Sequence, residues 1–193
     1  LAQARELRAE TTGAFDVSLG TGLASIELDQ PSLSARKTHP GAEVDLGGIG
    51  KGYALDQLVA GLEAWDVRRV CLIGGGSCIR ALEPPSGLPG GPVGVGGRHA
   101  RIELCRASLG ASGTGARGEH IVDPAAPDRR VPARRTWVCA ESAARADALS
   151  TAFMILPESV IDTICQSRPT AALIEHYEPT GTRLSSHGTP PLV

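Results

Sequence analysis

Glu43-Val44-Asp45-Leu46-Gly47-Gly48-Ile49-Gly50-Lys51-Gly52-Tyr53-Ala54-Leu55-Asp56 is the stretch on which the reading of this chain turns. An acidic residue closes a short apolar run, four glycines follow within six residues, and a lysine stands among them. Glycine lacks the Cβ that blocks positive φ and close approach, so a backbone this rich in it turns tightly and exposes its N–H groups. Directly afterwards Leu55, Leu58, Val59 and Leu62 recur at helical spacing up to Trp65. A turn that feeds a helix presents unpaired N–H groups and the positive end of the helix dipole, a setting for an anion. Lys51 adds a full positive charge. The residues support a phosphate or pyrophosphate site, and equally a tight loop with no ligand.

Two familiar phosphate motifs are absent. A Walker A loop requires glycine five residues before its Gly-Lys pair and Ser or Thr after it, whereas Asp45 and Gly52 hold those places. No G-x-G-x-x-G lies between a strand and a helix, so a Rossmann dinucleotide fold is not supported.

With 193 residues the chain fits one domain, and 41% apolar content is enough for a core. Only 3% of residues are aromatic, so that core is built from Ala, Leu, Val and Ile. A net charge of −2 and the lack of stacking aromatics argue against nucleic acid as a partner. No apolar run is long enough to cross a membrane, no membrane association is visible, and the sequence assigns no compartment. Cys71, Cys78, Cys105, Cys139 and Cys165 are widely spaced without a C-x-x-C pair and read as buried structural thiols.

Leu1–Glu10 has the character of a helix end, broken by Thr11-Thr12-Gly13-Ala14-Phe15-Asp16. Asp16 is a candidate polar contact or a turn residue. Residues 27–42 read as irregular and 83–97 as a connecting loop. Strands are expected at Arg69–Ile73 (buried, running into Gly74-Gly75-Gly76-Ser77), Arg101–Arg106, Thr136–Ala140 and Ala171–Ile174. Ala111-Ser112-Gly113-Thr114 reads as a hydroxyl-rich turn near His120-Ile121-Val122-Asp123-Pro124. That histidine suits a general base or a structural role, and Asp123 suits a turn. Helix Ala143–Leu156 places Leu149, Ala152, Phe153 and Leu156 on one face, with Asp147 and Thr151 opposite. A carboxylate one turn from a hydroxyl suits a hard cation such as Mg²⁺, or simply a solvated face.

In this order the pieces resemble the ApbE flavin transferase family, whose members move FMN from FAD to a threonine of a target protein. The matching stretches are Thr12–Asp16, Val44–Asp56, Ile73-Gly74-Gly75, Ser112-Gly113, His120–Pro124 and Ala146-Asp147-Ala148-Leu149-Ser150-Thr151-Ala152. The resemblance implies a single α+β domain over residues 1–184 and a mixed sheet with packed helices; residues 185–193 read from the sequence as a frayed, disordered tail. It implies FAD as substrate, Mg²⁺ as cofactor, AMP as product and an acceptor protein that offers a threonine. Mg²⁺ would be held by Asp147, Thr151 and the Gly50 carbonyl, and FAD by Asp16, Gly47, Gly48, Lys51, Asp56, Gly74, Gly75, Ser112 and Gly113. His120 and Lys51 would be the catalytic groups. FAD hydrolysis and non-catalytic FAD binding are the alternatives. The chain departs from the family pattern in a shortened N-terminal region, expected because it opens on Leu1 inside a helical pattern. Gly50 stands in place of the usual Ala, and Ala111 and Ser77 stand where other polar groups are usual.

Overall fold

The computed structural model describes residues 1–95, 100–114 and 121–189. Helix α1 (Ala2–Glu10) buries Ala4 and Leu7 and stops at Thr11. The Thr11 hydroxyl donates to the Leu7 carbonyl at 2.7 Å and accepts from Phe15 N at 3.0 Å, which turns the chain. Strands β1 (Ile26–Asp29) and β2 (Ser34–Lys37) form an antiparallel hairpin where an irregular segment was expected. β2 is exposed throughout and carries no hydrophobic alternation to reveal it. Cross-strand pairing such as Arg36 to Glu27, at 2.6 Å, accompanies its ladder.

Helix α2 (Gly50–Ala64) follows the glycine-rich turn, and β3 (Cys71–Gly74) and β4 (Cys78–Ala81) form the next hairpin. Strands β5 (Gly91–Val95) and β6 (Ala100–Leu104) make a separate hairpin, the first of them inside the expected loop. Strands β7 (Ser108–Gly113) and β8 (Arg134–Ala140) lead to α3 (Ala143–Ala152) and α4 (Glu158–Ser167). Strands β9 (Ala171–Glu178) and β10 (Gly181–Gly188) close the fold. The six-stranded sheet has the order β10-β9-β8-β7-β4-β3.

The class is α+β, as expected. The strands of the anticipated mixed sheet all pair antiparallel. Short hairpins dictate this for β3–β4 and β9–β10. Between β8 and β9 the two helices return the chain to the end it left, with Cys139 opposite Ala171.

Helices α2, α3 and α4 cover one face of the sheet, and α1 packs on α3. The β5–β6 hairpin covers part of the other face, where Val95 and Leu104 meet Ala81, Leu109 and Cys139. On the helical face one row across the sheet is Cys78, Gly110, Val138 and Ala172. These small side chains let α3 lie close: a Cβ on Gly110 would fall 2.1 Å from the Ala146 carbonyl oxygen.

Several expectations need correction. α3 has no solvated face: Ala143 through Ser150 and Ala152 are all buried, because alanines meet partners on every side. It ends at Ala152, with Leu156 beyond it but still buried. β3 is an edge strand that exposes Cys71 and Ile73, so only four of the five thiols are buried. Ala111–Gly113 belongs to β7 rather than to a turn. Ser185–Gly188 continues β10 instead of fraying; the strand is mostly polar but buries His187 against α4, with its Nδ1 2.7 Å from Asp162 Oδ1. Helix α4, which buries Ile161, Ile164 and Cys165, and strand β4 had no counterpart in the sequence reading. Among the described residues no helix is long and apolar enough to cross a membrane.

Candidate functional site

The glycine-rich turn, the first turn of α2, the β3–β4 turn and one side of α3 meet at a single place. α3 is fixed there at both ends. Helix N-termini leave N–H groups without intrahelical partners. Here Asp56, from α2, accepts from Ala143 N and Ala144 N through its two oxygens, both at 2.9 Å. The Ser142 side chain accepts from Arg145 N at 3.3 Å. At the other end buried Arg134 donates to the Met154 and Leu156 carbonyls at 2.9 Å each, and Thr136 donates to the Ser150 carbonyl at 2.6 Å.

Backbone contact sets the spacing of α2 and α3. A Cβ on Gly52 would lie 2.1 Å from the Ala143 carbonyl oxygen, so only glycine fits. The approach carries Gly52 N to 3.3 Å from Asp147 Oδ2. Asp147 Oδ1 stands 3.1 Å from Lys51 Nζ, and that ammonium also donates to the Gly47 carbonyl at 3.1 Å. The Asp147 side chain is only 3% exposed and that of Lys51 30%.

One turn along α3, Thr151 Oγ1 lies 3.3 Å from Ser112 Oγ and 3.3 Å from the Asp147 carbonyl oxygen. Ser112 Oγ is 2.8 Å from Ser150 Oγ. The turn approaches this hydroxyl group closely, since a Cβ on Gly48 would sit 3.3 Å from Thr151 Oγ1 and 3.2 Å from the Phe15 ring. The β3–β4 turn closes over the lysine stem. Gly75 and Gly76 both have positive φ, +61° and +74°, as tight hairpin turns require, and a Cβ on Gly75 would lie 3.3 Å from Lys51 Cδ.

The structure therefore gathers Gly47, Gly48, Lys51, Gly75, Ser112, Asp147 and Thr151, with Gly74 beside them against Leu55. Gly50 begins α2, where a carbonyl ordinarily accepts from the N–H four residues on; the turn carbonyl directed at the lysine is that of Gly47. Gly113 is the last residue of β7, paired with Arg135. Asp56 caps α3, with Arg80 Nε 3.7 Å away. Asp16 accepts from Ser18 N and Oγ at 2.8 and 2.6 Å and from Arg8 Nε at 2.8 Å. Burial raises the Asp16 pKa, but the hydrogen bonds from Ser18 and Arg8 outweigh it and hold the carboxyl below its ordinary value. Beneath the site, burial and then the Asp147 charge push the Cys78 thiol up to about 12. Asp123 turns the chain by accepting from Ala125 N at 2.9 Å and also pairs with Arg129. His120 lies outside the described residues.

Gly52, Ser150 and Phe15 belong to this neighbourhood but were not singled out as site residues from the sequence. Nothing in composition distinguishes Gly52 from the other glycines of the turn; only the position of α3 does. Among the described residues no group of three His, Cys, Asp or Glu side chains gathers to hold a metal. The oxygens converging here are of another type: one carboxylate, hydroxyls and a main-chain carbonyl. A separate apolar cavity of about 410 Å³ lies on the opposite face of the sheet, floored by Leu109, Trp137 and Leu173, and takes no part in the site.

A family model described as the ApbE family matches residues 18–174. Comparison with curated proteins gives no match. Among solved structures, the apo flavinyl transferase ApbE of Pseudomonas stutzeri is similar with a TM-score of 0.80 at 24% identity, over 96% of this chain and 70% of that one. The flavin transferase ApbE of Vibrio cholerae gives 0.79 at 20% identity, over 96% and 72%. The ApbE protein of Thermotoga maritima gives 0.77 at 22%, over 96% and 74%. At these identities the structural likeness establishes the fold.

Proposed function

The chain belongs to the ApbE family, and from that premise we propose that it is a Mg²⁺-dependent flavin transferase, moving FMN from FAD to a threonine of an acceptor protein and releasing AMP. The observation that carries this reading is the meeting of Lys51, the α2 N-terminus, Asp147 and Thr151 at one glycine-rich turn. Two of the solved structures similar in fold are named flavin or flavinyl transferases, which supports it.

The residues fit a hard cation. Their donors are all oxygen, as Mg²⁺ prefers, and the ammonium of Lys51 already stands as a positive occupant against Asp147 Oδ1 and the Gly47 carbonyl. Asp147, Thr151 and a carbonyl of the turn, Gly50 by the family pattern, would hold the ion. The chemistry such an ion supplies is charge neutralisation on phosphate oxygens while the bond to AMP breaks.

Lys51 and the first N–H groups of α2 bind the pyrophosphate, which favours the positive end of the helix. Gly48 and Gly75 let backbone approach it without a side chain intervening. Gly74, Ser112 and Gly113 line the approach to FAD, and Asp16 and Asp56 shape its surroundings through the loop after α1 and the end of α3. In the transfer, the threonine oxygen forms a bond to phosphorus, the phosphorus–oxygen bond to AMP breaks, and the threonine proton is lost. His120, within the H-I-x-D-P motif, is assigned to acid/base work or to orienting the phosphate.

Intact-mass measurement of a candidate acceptor after incubation with the protein, FAD and Mg²⁺ tests the reading. A gain of one FMN less water, absent with EDTA and absent for Asp147→Ala, is expected. Free FMN without labelled acceptor would make the protein a hydrolase. Bound FAD without turnover would make it a binding module.

A further inference from the structure

Lys51 occupies the carboxylate that a metal ion would take. Its Nζ lies 3.1 Å from both Asp147 Oδ1 and the Gly47 carbonyl oxygen. A carboxylate as buried as Asp147 requires a positive partner or donors, and its partners among the described residues are this ammonium and Gly52 N. The lysine is not locked there. Its side chain keeps 30% exposure, it springs from the first turn of α2, and its stem runs beside Gly75, where a side chain is missing. A four-carbon stem of this kind moves a point charge several ångströms without any change of backbone.

We propose that Lys51 is a place-holding cation, giving up Asp147 to a divalent ion and turning outward to bind the anionic substrate. The inference rests on the metal reading above. A divalent ion on Asp147 Oδ1 and an ammonium 3.1 Å from the same oxygen repel one another across a few ångströms, so one leaves. The tethered one has somewhere to go, because the α2 N-terminus beside it is where a phosphate binds. Before the ion arrives, the site is neutral and the lysine withheld. Once the ion is seated, the lysine charge is free at the mouth. Metal and pyrophosphate therefore bind with positive coupling, each tightening the other by the same factor.

The chain offers an unusually clean test, since Lys51 and Lys37 are its only lysines. Lys37 is exposed on β2, away from the site, and serves as the internal reference. A brief acylation pulse on FAD-free protein, read by peptide mass spectrometry, gives the ratio of Lys51 to Lys37 labelling. Saturating Mn²⁺ is expected to raise that ratio roughly fivefold or more, the lower range of a coupling between two sites. In Asp147→Asn the ratio should be high from the start and insensitive to Mn²⁺. Should that variant not fold, Lys51→Met provides the second reading: Mn²⁺ affinity by EPR should tighten roughly fivefold. If Mn²⁺ binds the wild type but the labelling ratio stays level or falls, the exchange is refuted while the metal site stands. If the wild type binds no Mn²⁺, the metal reading fails, and the exchange fails with it.

Discussion

Replacing Gly52 by alanine sets two forces against each other within one helix. Intrinsic propensity favours alanine over glycine in a helix interior by about 1 kcal/mol. Packing opposes it, because the new Cβ would lie 2.1 Å from the Ala143 carbonyl oxygen, 2.4 Å from its carbon and 2.6 Å from Ala144 N. All three are backbone atoms of α3, so no side chain can swing aside. Relief requires α2 and α3 to separate by more than ~1 Å to reach ordinary van der Waals distance. Overpacking of this kind costs about 1–3 kcal/mol. The same separation stretches the Asp56 bonds to Ala143 N and Ala144 N, with a further loss of about 1–2 kcal/mol as that cap weakens. Set against the propensity gain, the net is a destabilisation of about 1–4 kcal/mol. Gly61 in the same helix is the control: nothing lies within 4 Å of its Cβ position, so Gly61→Ala should stabilise by about 1 kcal/mol. Urea unfolding of the two variants reads both signs. A Gly52→Ala protein as stable as the wild type, or more so, would refute the close contact between the helices.

Other outcomes follow from the same geometry. Gly110→Ala, whose Cβ would meet the Ala146 carbonyl oxygen at 2.1 Å, should destabilise in the same way by about 1–3 kcal/mol in urea unfolding. Asp56→Ala should lower stability by about 1–2 kcal/mol, and Asp56→Asn by less, since the amide keeps one acceptor for the α3 N-terminus. The Asp16 carboxyl has a folded pKa below its ordinary 3.8, so its contribution to stability is full above that value and is lost as pH falls through the lower one. The stability gap between wild type and Asp16→Asn should therefore hold from neutral pH down to 3.8 and narrow as the pH falls below it. An aromatic disulfide reagent should titrate one thiol of the native protein, exposed Cys71, and four more only after denaturation.

The elements most legible in the sequence were those with their own local signal. Leu55 and Val59 at helical spacing, and the glycines before them, located α2 and its turn. The i, i+4 relation of Asp147 and Thr151 put both on the side of α3 that faces that turn. Legibility failed where the signal was tertiary. Strands β2 and β10 are polar and gain their place from partners, Glu27 across the first hairpin and α4 beneath the second. β3 looked buried because Val70, Leu72 and Ile73 are apolar, yet it is the last strand of the sheet, and no local pattern says which strand lies at an edge. Asp56 was singled out only by the family resemblance; its partners, two N–H groups 87 and 88 residues away, were invisible until α3 was in position.

The aromatic-poor composition, which from the sequence bounded only the core, acquires a functional sense here. Bulky side chains hold helices apart, whereas Gly52 on α2, Gly110 on β7 and the alanines of α3 let backbone meet backbone. That proximity lets the N–H of Gly52 reach the second oxygen of Asp147 while Lys51 reaches the first. Were α3 to stand one side-chain layer further off, the carboxylate would lose both partners and face a gap. A carboxylate buried without partners carries a heavy desolvation cost. The small residues thus bring both partners to Asp147, and that closely held carboxylate is what a place-holding lysine and a metal ion both require.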